Sequence, residues 1–434
     1  MKKSLLTAMA LMGSAAAMAA YVDIVPAENK VYKVNEPVTF NVTAWESKGK
    51  KMTAGTVVLA VQDSGAKAIG KKITVDLAQN NPATFTAKLD RPGFILVRSG
   101  LRGADGKAIA IAKGMPSLGA AAVEPEKIQP GAPIPADFEK FWQDGIKMWE
   151  KAEVVTTPAP EFDKNNKFSK YKNYRIKVTF PDKSGAIDGF LSIPQKAGKY
   201  PIVYGVPGAG AGQITPGAPY CPAQPVIMLW MNVHLYPTAT TAAEQKKRYA
   251  DYNKKSDKGR YCFDKANDRD KFHYRKVWLS VNRAVNYVMT LPEFDGKNIA
   301  AVGSSQGGGS ALALTYLNPK VTCTVSNVPA LCDHFGWKAG RAPGWPQLHK
   351  TWQGGADKTA PYFDGANFAA FIKSPVIMSV GYIDTTCSPS SVYAAYNNLK
   401  GEKTMFPMPR TGHAATPEFA KAASKYVQKV FSGK

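Results

Sequence analysis

The chain reads as an α/β protein with a mostly parallel central sheet, preceded by a smaller all-β unit of the immunoglobulin-like sandwich type. Three observations carry this reading. Residues 21–122 hold short runs of alternating apolar and polar side chains, rich in β-branched residues and separated by Gly, Asn and Asp. That is the period-two pattern of strands buried on one face. From about residue 123, strand-like and helix-like segments alternate, as in a parallel sheet covered by helices. A proline-rich stretch with Pro125, Pro130 and Pro133 lies between, dividing the chain into 21–122 and 123–434. A length of 434 residues fits two or three domains.

The elements follow in order. Lys2 and Lys3 precede a short apolar run and small residues ending Ala17-Met18-Ala19-Ala20. This predicts a signal peptide over 1–20 and a mature chain that is secreted or periplasmic. The run is too short for a membrane span, and no other segment reaches the ~18 apolar residues a span needs. Segments 38–44, 56–61, 83–89 and 93–98 predict the β unit's strands. Pro135 is expected in the first turn of a helix, where its missing N–H costs least, with Asp137 and Glu139 at the positive end. Segments 174–180 and 189–193 predict antiparallel strands, and 201–206 and 226–231 buried ones. A helix over about 274–291 follows. Next come a strand over 298–302, a helix from Gly307, and strands over 321–326 and 376–380.

Composition excludes several classes. At 44% hydrophobic the chain is too apolar to be disordered. Its formal charge of +23 favours acidic polymers without naming one. Neither a zinc-finger spacing nor an RNA-binding signature accompanies that charge, so no nucleic-acid partner is expected. Five cysteines suit neither a disulfide scaffold nor a paired metal site.

The informative motif is Gly303-x-Ser305-x-Gly307 at a strand-to-helix junction. A nucleophilic serine needs a tight, strained turn that exposes its hydroxyl, and flanking glycines let strand and helix approach closely. Ser304 lies off the motif register and is expected to be buried in the turn. The partners of such a serine run acid, then histidine, along the chain. Asp384 closes an apolar run beginning at Pro375, and His413 follows the next strand, 403–408. The rival acids Asp333, Asp357 and Asp364 end no such strand, and His334 and His349 read as lid or surface residues. Ser305 is thus the expected nucleophile, His413 the general base and Asp384 its orienting acid. One oxyanion donor is expected from the main-chain N–H of Gln306, the other from the loop 206–212. No metal or organic cofactor is required.

These residues resemble the acetyl xylan esterase and cephalosporin C deacetylase family. The likeness covers roughly 300 residues from about Pro133. It rests on Asp137-Phe138-x-x-Phe141-Trp142, Leu291-Pro292-Glu293-x-Asp295 and Ser305-Gln306-Gly307-Gly308. The later blocks Val328-Pro329-Ala330-Leu331-Cys332-Asp333 and Asp384-Thr385-Thr386-Cys387-Ser388-Pro389 are similar too. The resemblance implies an α/β-hydrolase fold, an acetylated carbohydrate as substrate, an oxyanion hole of Ala209 and Gln306, and an acyl pocket closed in part by Pro329. It also implies a packed, unpaired Cys387.

The chain departs from the family at two loops. Pro207-Gly208-Ala209 stands where the family has His-Gly-Tyr, and Asn232-Val233-His234-Leu235 where it has Arg-Gly-Gln. His234 or Trp230 could fill the space the missing aromatic vacates. The family proper lacks the β unit, so its ring-shaped assembly does not carry over, although a homo-oligomer is compatible. Other readings are a general carboxylesterase or peptidase on the same fold, and a non-catalytic polysaccharide-binding protein. The complete Ser305, Asp384 and His413 set argues against the last. Export permits disulfides and five thiols leave at least one unpaired; a Cys221–Cys262 bridge could pin a polar insertion as a lid, and the sequence leaves the pairing open.

Overall fold

The computed structural model describes residues 19–112, 114–163, 169–212, 214–238, 241–348 and 356–433. Residues 1–18 of the expected leader and His349 lie outside them. Among the described residues no helix is long and apolar enough to cross a membrane.

A nine-stranded sheet organises the larger part of the chain. Its spatial order is Val154–Pro158, Tyr171–Thr179, Ala186–Pro194, Ile227–Met231, Tyr200–Gly205, Phe294–Ser304, Cys323–Asn327, Val376–Gly381 and Lys403–Met408. The first three strands are antiparallel, and the other six run parallel to one another. The parallel strands read as continuous apolar runs because both faces are covered. Ile202 and Tyr204 point into one core with Ala301, Trp278 and Leu314. Val203 and Val302 point into the other, with Phe419 and Val427 of the helix Pro417–Phe431. The first core is rich in aromatics, and three of its indoles are paired: Trp142 donates to Tyr362 O (3.1 Å), Trp149 to Ser280 Oγ (3.0 Å) and Trp278 to Ser310 Oγ (2.9 Å).

Residues 21–123 form two antiparallel sheets. One joins Tyr21–Pro26, Val38–Ser47, Lys50–Lys51 and Ala83–Ala87. The other joins Leu118–Val123, Gly93–Arg102 and Thr56–Asp63 with three short strands. Both contribute to one apolar cluster, with Val22, Phe40 and Val42 from the first and Leu59, Val97 and Val123 from the second. Their ends lie against the sheet's C-terminal side. Phe94 packs edge-on to Tyr382 at 5.1 Å, Ser64 O accepts from the Ala342 N–H at 3.3 Å, and Arg410 pairs with Asp23 at 2.5 Å.

Two expectations need correction. Pro135 is not in a helical turn: the helix is Phe138–Trp149, and the Phe138 N–H donates to Pro135 O (3.1 Å), so the proline opens the turn before it. Asp137 spends its carboxylate on Arg269 and Tyr362 rather than on the helix end. The Cys221–Cys262 bridge does not form, and no disulfide joins any of the five cysteines. The two pack on opposite faces of the sheet, Cys221 beside the cluster of Tyr220 and Val226, Cys262 in the core with Tyr261 and Phe263.

Candidate active site

Ser305 sits between the strand Phe294–Ser304 and the helix Gln306–Leu317, at φ 57°, ψ −120°. A non-glycine residue rarely adopts such a conformation, and it persists where neighbours impose it. Here the Ser305 N–H donates to Asn327 O (2.9 Å), and its carbonyl accepts from the N–H groups of Gly309 (3.0 Å) and Ala330 (2.9 Å). Two glycines make the turn possible. A Cβ on Gly303 would lie 2.1 Å from Gly307 O, and one on Gly307 would lie 2.3 Å from Val206 O.

The structure brings the three expected residues together. The His413 ring lies with Nε2 2.8 Å from Ser305 Oγ and Nδ1 2.7 Å from Asp384 Oδ2. Asp384 is buried, three residues past the end of the strand Val376–Gly381. Its Oδ1 accepts from the N–H groups of Thr386 (2.8 Å) and Cys387 (2.9 Å), leaving Oδ2 for the imidazole. A carboxylate on Nδ1–H leaves Nε2 free to accept the serine proton.

The rival groups have other partners. Asp364 accepts from the N–H groups of Asp333, His334 and Ala366 (2.7, 2.8 and 2.9 Å), and burial raises its carboxyl to about 6. Asp333 pairs with Arg341 at 2.8 Å, while Asp357 is exposed. His334 is not a lid or surface residue: it is fully buried, and burial lowers its pKa to about 4. Ser304 is half-buried rather than buried, and its Oγ accepts from Asn327 Nδ2 at 2.6 Å.

The loop after Tyr200–Gly205 runs beside the nucleophile. A Cβ on Gly208 would stand 3.8 Å from Ser305 Cβ, with the exposed Ala209 next in the chain. The Gln306 N–H lies in the first helical turn, where no intrahelical acceptor exists. Pro329 is buried, its Cα 3.2 Å from where a Gly308 Cβ would be. Of the two residues considered for the space beside Ala209, His234 is fully buried in a wall of tyrosines, and Trp230 is half-buried with its ring against Gly205.

The resemblance gave Cys387 only as a packed, unpaired thiol, and sequence reasoning missed two other neighbours of the site. Ligand atoms of Asp384, Cys387 and His413 lie within 4.8 Å of one another, the metal-competent cluster among the described residues. Both Asp384 oxygens are already engaged, and burial holds the Cys387 thiol protonated. The group therefore suits proton transfer better than an ion. The other two are Tyr261 and Tyr274, whose hydroxyls donate to Gln306 Oε1 at 2.6 and 2.7 Å. Their surroundings in sequence, a polar stretch rich in Lys and Asp, give no sign of this. The arrangement can deliver an activated alkoxide to a carbonyl carbon and hold the resulting oxyanion beside a helix N-terminus.

The profile of the acetyl xylan esterase (AXE1) family matches residues 123–339 and 347–430. The acetyl esterase Axe7A of Xylanibacter ruminicola is 33% identical over 308 residues, 68% of this chain and 67% of that protein. Among solved structures, the acetyl xylan esterase from Paenibacillus sp. R4 superposes with a TM-score of 0.58 at 22% identity, covering 70% of this chain and 98% of that one. Acetyl xylan esterase 1 from Thermoanaerobacterium sp. JW/SL YS485 gives 0.55 at 20% identity, covering 71% and 98%. At these identities the two structures speak for the α/β-hydrolase fold alone. The profile match over most of the chain and the identity to Axe7A together make the chain a carboxylic ester hydrolase that belongs to the acetyl xylan esterase family.

Proposed function

We propose that the chain is a secreted or periplasmic serine esterase that removes acetyl groups from carbohydrates, acetylated xylan or xylo-oligosaccharides above all. The observation that carries this reading is the unbroken hydrogen-bonded line from Ser305 Oγ through His413 to the buried Asp384. Ser305 Oγ attacks the acetyl carbonyl carbon while His413 Nε2 takes its proton. The N–H groups of Ala209 and Gln306 hold the oxyanion, and Pro329 borders the acyl methyl. The intermediate collapses, His413 protonates the departing sugar oxygen, and an acetyl-serine remains. Water, deprotonated by His413, attacks that ester; acetate leaves and Ser305 regains its proton. No cofactor enters these steps.

Residues 21–122 act in this reading as an immunoglobulin-like sandwich that walls the substrate's approach. A cleft of about 830 Å³ separates it from the segment before His413, lined by Asn29, Met115, Phe406, Arg410, Thr411 and Gly412 among others. Its mixture of apolar faces and hydrogen-bonding groups suits a sugar chain. The test is acetate release from acetylated xylan, and from acetylated xylo-oligosaccharides of increasing length, beside an aminoacyl amide substrate. We expect acetate release with kcat/KM rising with chain length, and no amide cleavage. Amide cleavage without acetate release would replace this reading with a peptidase, and no turnover of either with a binding protein. A kcat/KM indifferent to chain length would remove the cleft's role.

A further inference from the structure

The geometry points to Tyr261 and Tyr274 as positioning residues that set the width of the oxyanion hole through the Gln306 side chain. The inference rests on the esterase reading and deepens it. Gln306 is fully buried, and two hydroxyls donate to its one oxygen: Tyr261 at 2.6 Å and Tyr274 at 2.7 Å. Both tyrosines are themselves buried, so neither hydroxyl has water as an easy alternative. Two donors on Oε1 fix the orientation of the amide. Its Nε2 must then point the other way, where it donates to Pro207 O at 3.3 Å. Pro207 lies two residues before Ala209. One side chain thus spans from the residue that offers the Gln306 N–H to the loop that offers the Ala209 N–H.

The tyrosines have their own support. The His234 ring stands edge-on to Tyr261 at 4.7 Å and 85°, and is stacked on Tyr236 at 5.0 Å and 3°. His234 occupies the stretch where the resembling family carries Arg-Gly-Gln. Burial lowers its pKa to about 3, so it stands behind Tyr261 as an uncharged wall. An oxyanion hole acts through donors held at the position the oxygen takes in the transition state, so loosening one donor weakens that state more than the ground state.

The experiment compares Y261F, Y274F and the double variant in the full mature enzyme, using a p-nitrophenyl acetate assay and a trifluoromethyl ketone that forms an oxyanion adduct at Ser305. Wild-type turnover of the ester answers for the esterase reading; the ratios of variant to wild type answer for the clamp. We expect the double variant to lose at least tenfold in kcat with KM within twofold. The ketone's affinity should fall by the same factor, and the pH profile should keep its position. Q306M keeps the main-chain N–H but removes both side-chain links, and should reproduce the double variant should that one fail to fold. An unchanged kcat, a loss confined to KM, or a lowered kcat with full ketone affinity would overturn the inference.

Discussion

Ser305 and Ser304 are adjacent, yet their hydroxyls lead to different places. Ser305 Oγ faces His413 Nε2, whereas Ser304 Oγ is held by Asn327 Nδ2, whose own Oδ1 accepts from Ser379 Oγ at 2.5 Å. Ser305→Ala removes the covalent step and should lower ester hydrolysis on the order of a millionfold. Ser304→Ala should keep activity within about tenfold, because it breaks a supporting bond and no reacting one. Asp384→Asn should cost about 10⁴-fold by favouring the wrong imidazole tautomer. Initial rates on one acetate ester, with circular dichroism to verify folding, decide this; an active Ser305→Ala beside an inactive Ser304→Ala would move the nucleophile by one residue. The meeting of these three side chains was legible because a strained elbow demands glycines at fixed offsets and the expected partners follow in fixed order. The burial of His334 was not, because a lone histidine carries no local mark of what packs over it.

At the scale of elements, legibility tracks burial. The strands Tyr200–Gly205, Ile227–Met231 and Val376–Gly381 are covered on both faces and announce themselves as apolar runs. The edge strand Val154–Pro158 and the charged helix Ala242–Lys255 bury little and escaped notice. The Cys221–Cys262 pairing was not legible for a related reason: spacing along the chain does not say on which face of a sheet each thiol packs. The loop 206–209 raises a question of selectivity. Ala209 offers a methyl where the resembling family has an aromatic, the fully buried His234 cannot enter that space, and Trp230 stays half-buried against Gly205. One methylene in an apolar pocket is worth about 1–3 kcal/mol of discrimination. Acetyl should therefore be the preferred group, with propionyl within about tenfold and a decline beyond. kcat/KM across acetyl, propionyl, butyryl and hexanoyl esters of one alcohol measures it. A maximum at hexanoyl would favour a general carboxylesterase, and a sharp cutoff after acetyl would mean another side chain closes the pocket.

The whole molecule carries an acid sensitivity that arises away from the reacting atoms. Burial lowers His234 and His273 to about 3 and His334 to about 4, from an ordinary value of 6.5. Between those values the unfolded chain binds protons that the folded chain refuses. Stability therefore rises with pH and is lost as pH falls below 6.5. Each histidine contributes a slope approaching about 1.4 kcal/mol per pH unit once the pH is well under its ordinary value. Asp364 opposes this. Raised from 3.8 to about 6, it keeps a proton in the folded chain that the unfolded chain has released, which favours the fold at low pH over that narrower window. Burial also raises Asp188, Asp264 and Asp333, but from an ordinary value of 3.8, so the three histidines set the sign in the upper part of the range. The midpoint of denaturant unfolding should be flat above pH 7 and fall between pH 6.5 and 5. His234→Phe, whose ring can lie among Tyr236, Tyr249 and Tyr261, should make that fall shallower by close to one proton's worth. An unchanged midpoint from pH 7.5 to 5, or an H234F slope equal to that of the parent, would mean that the buried imidazoles find protons or partners inside the fold.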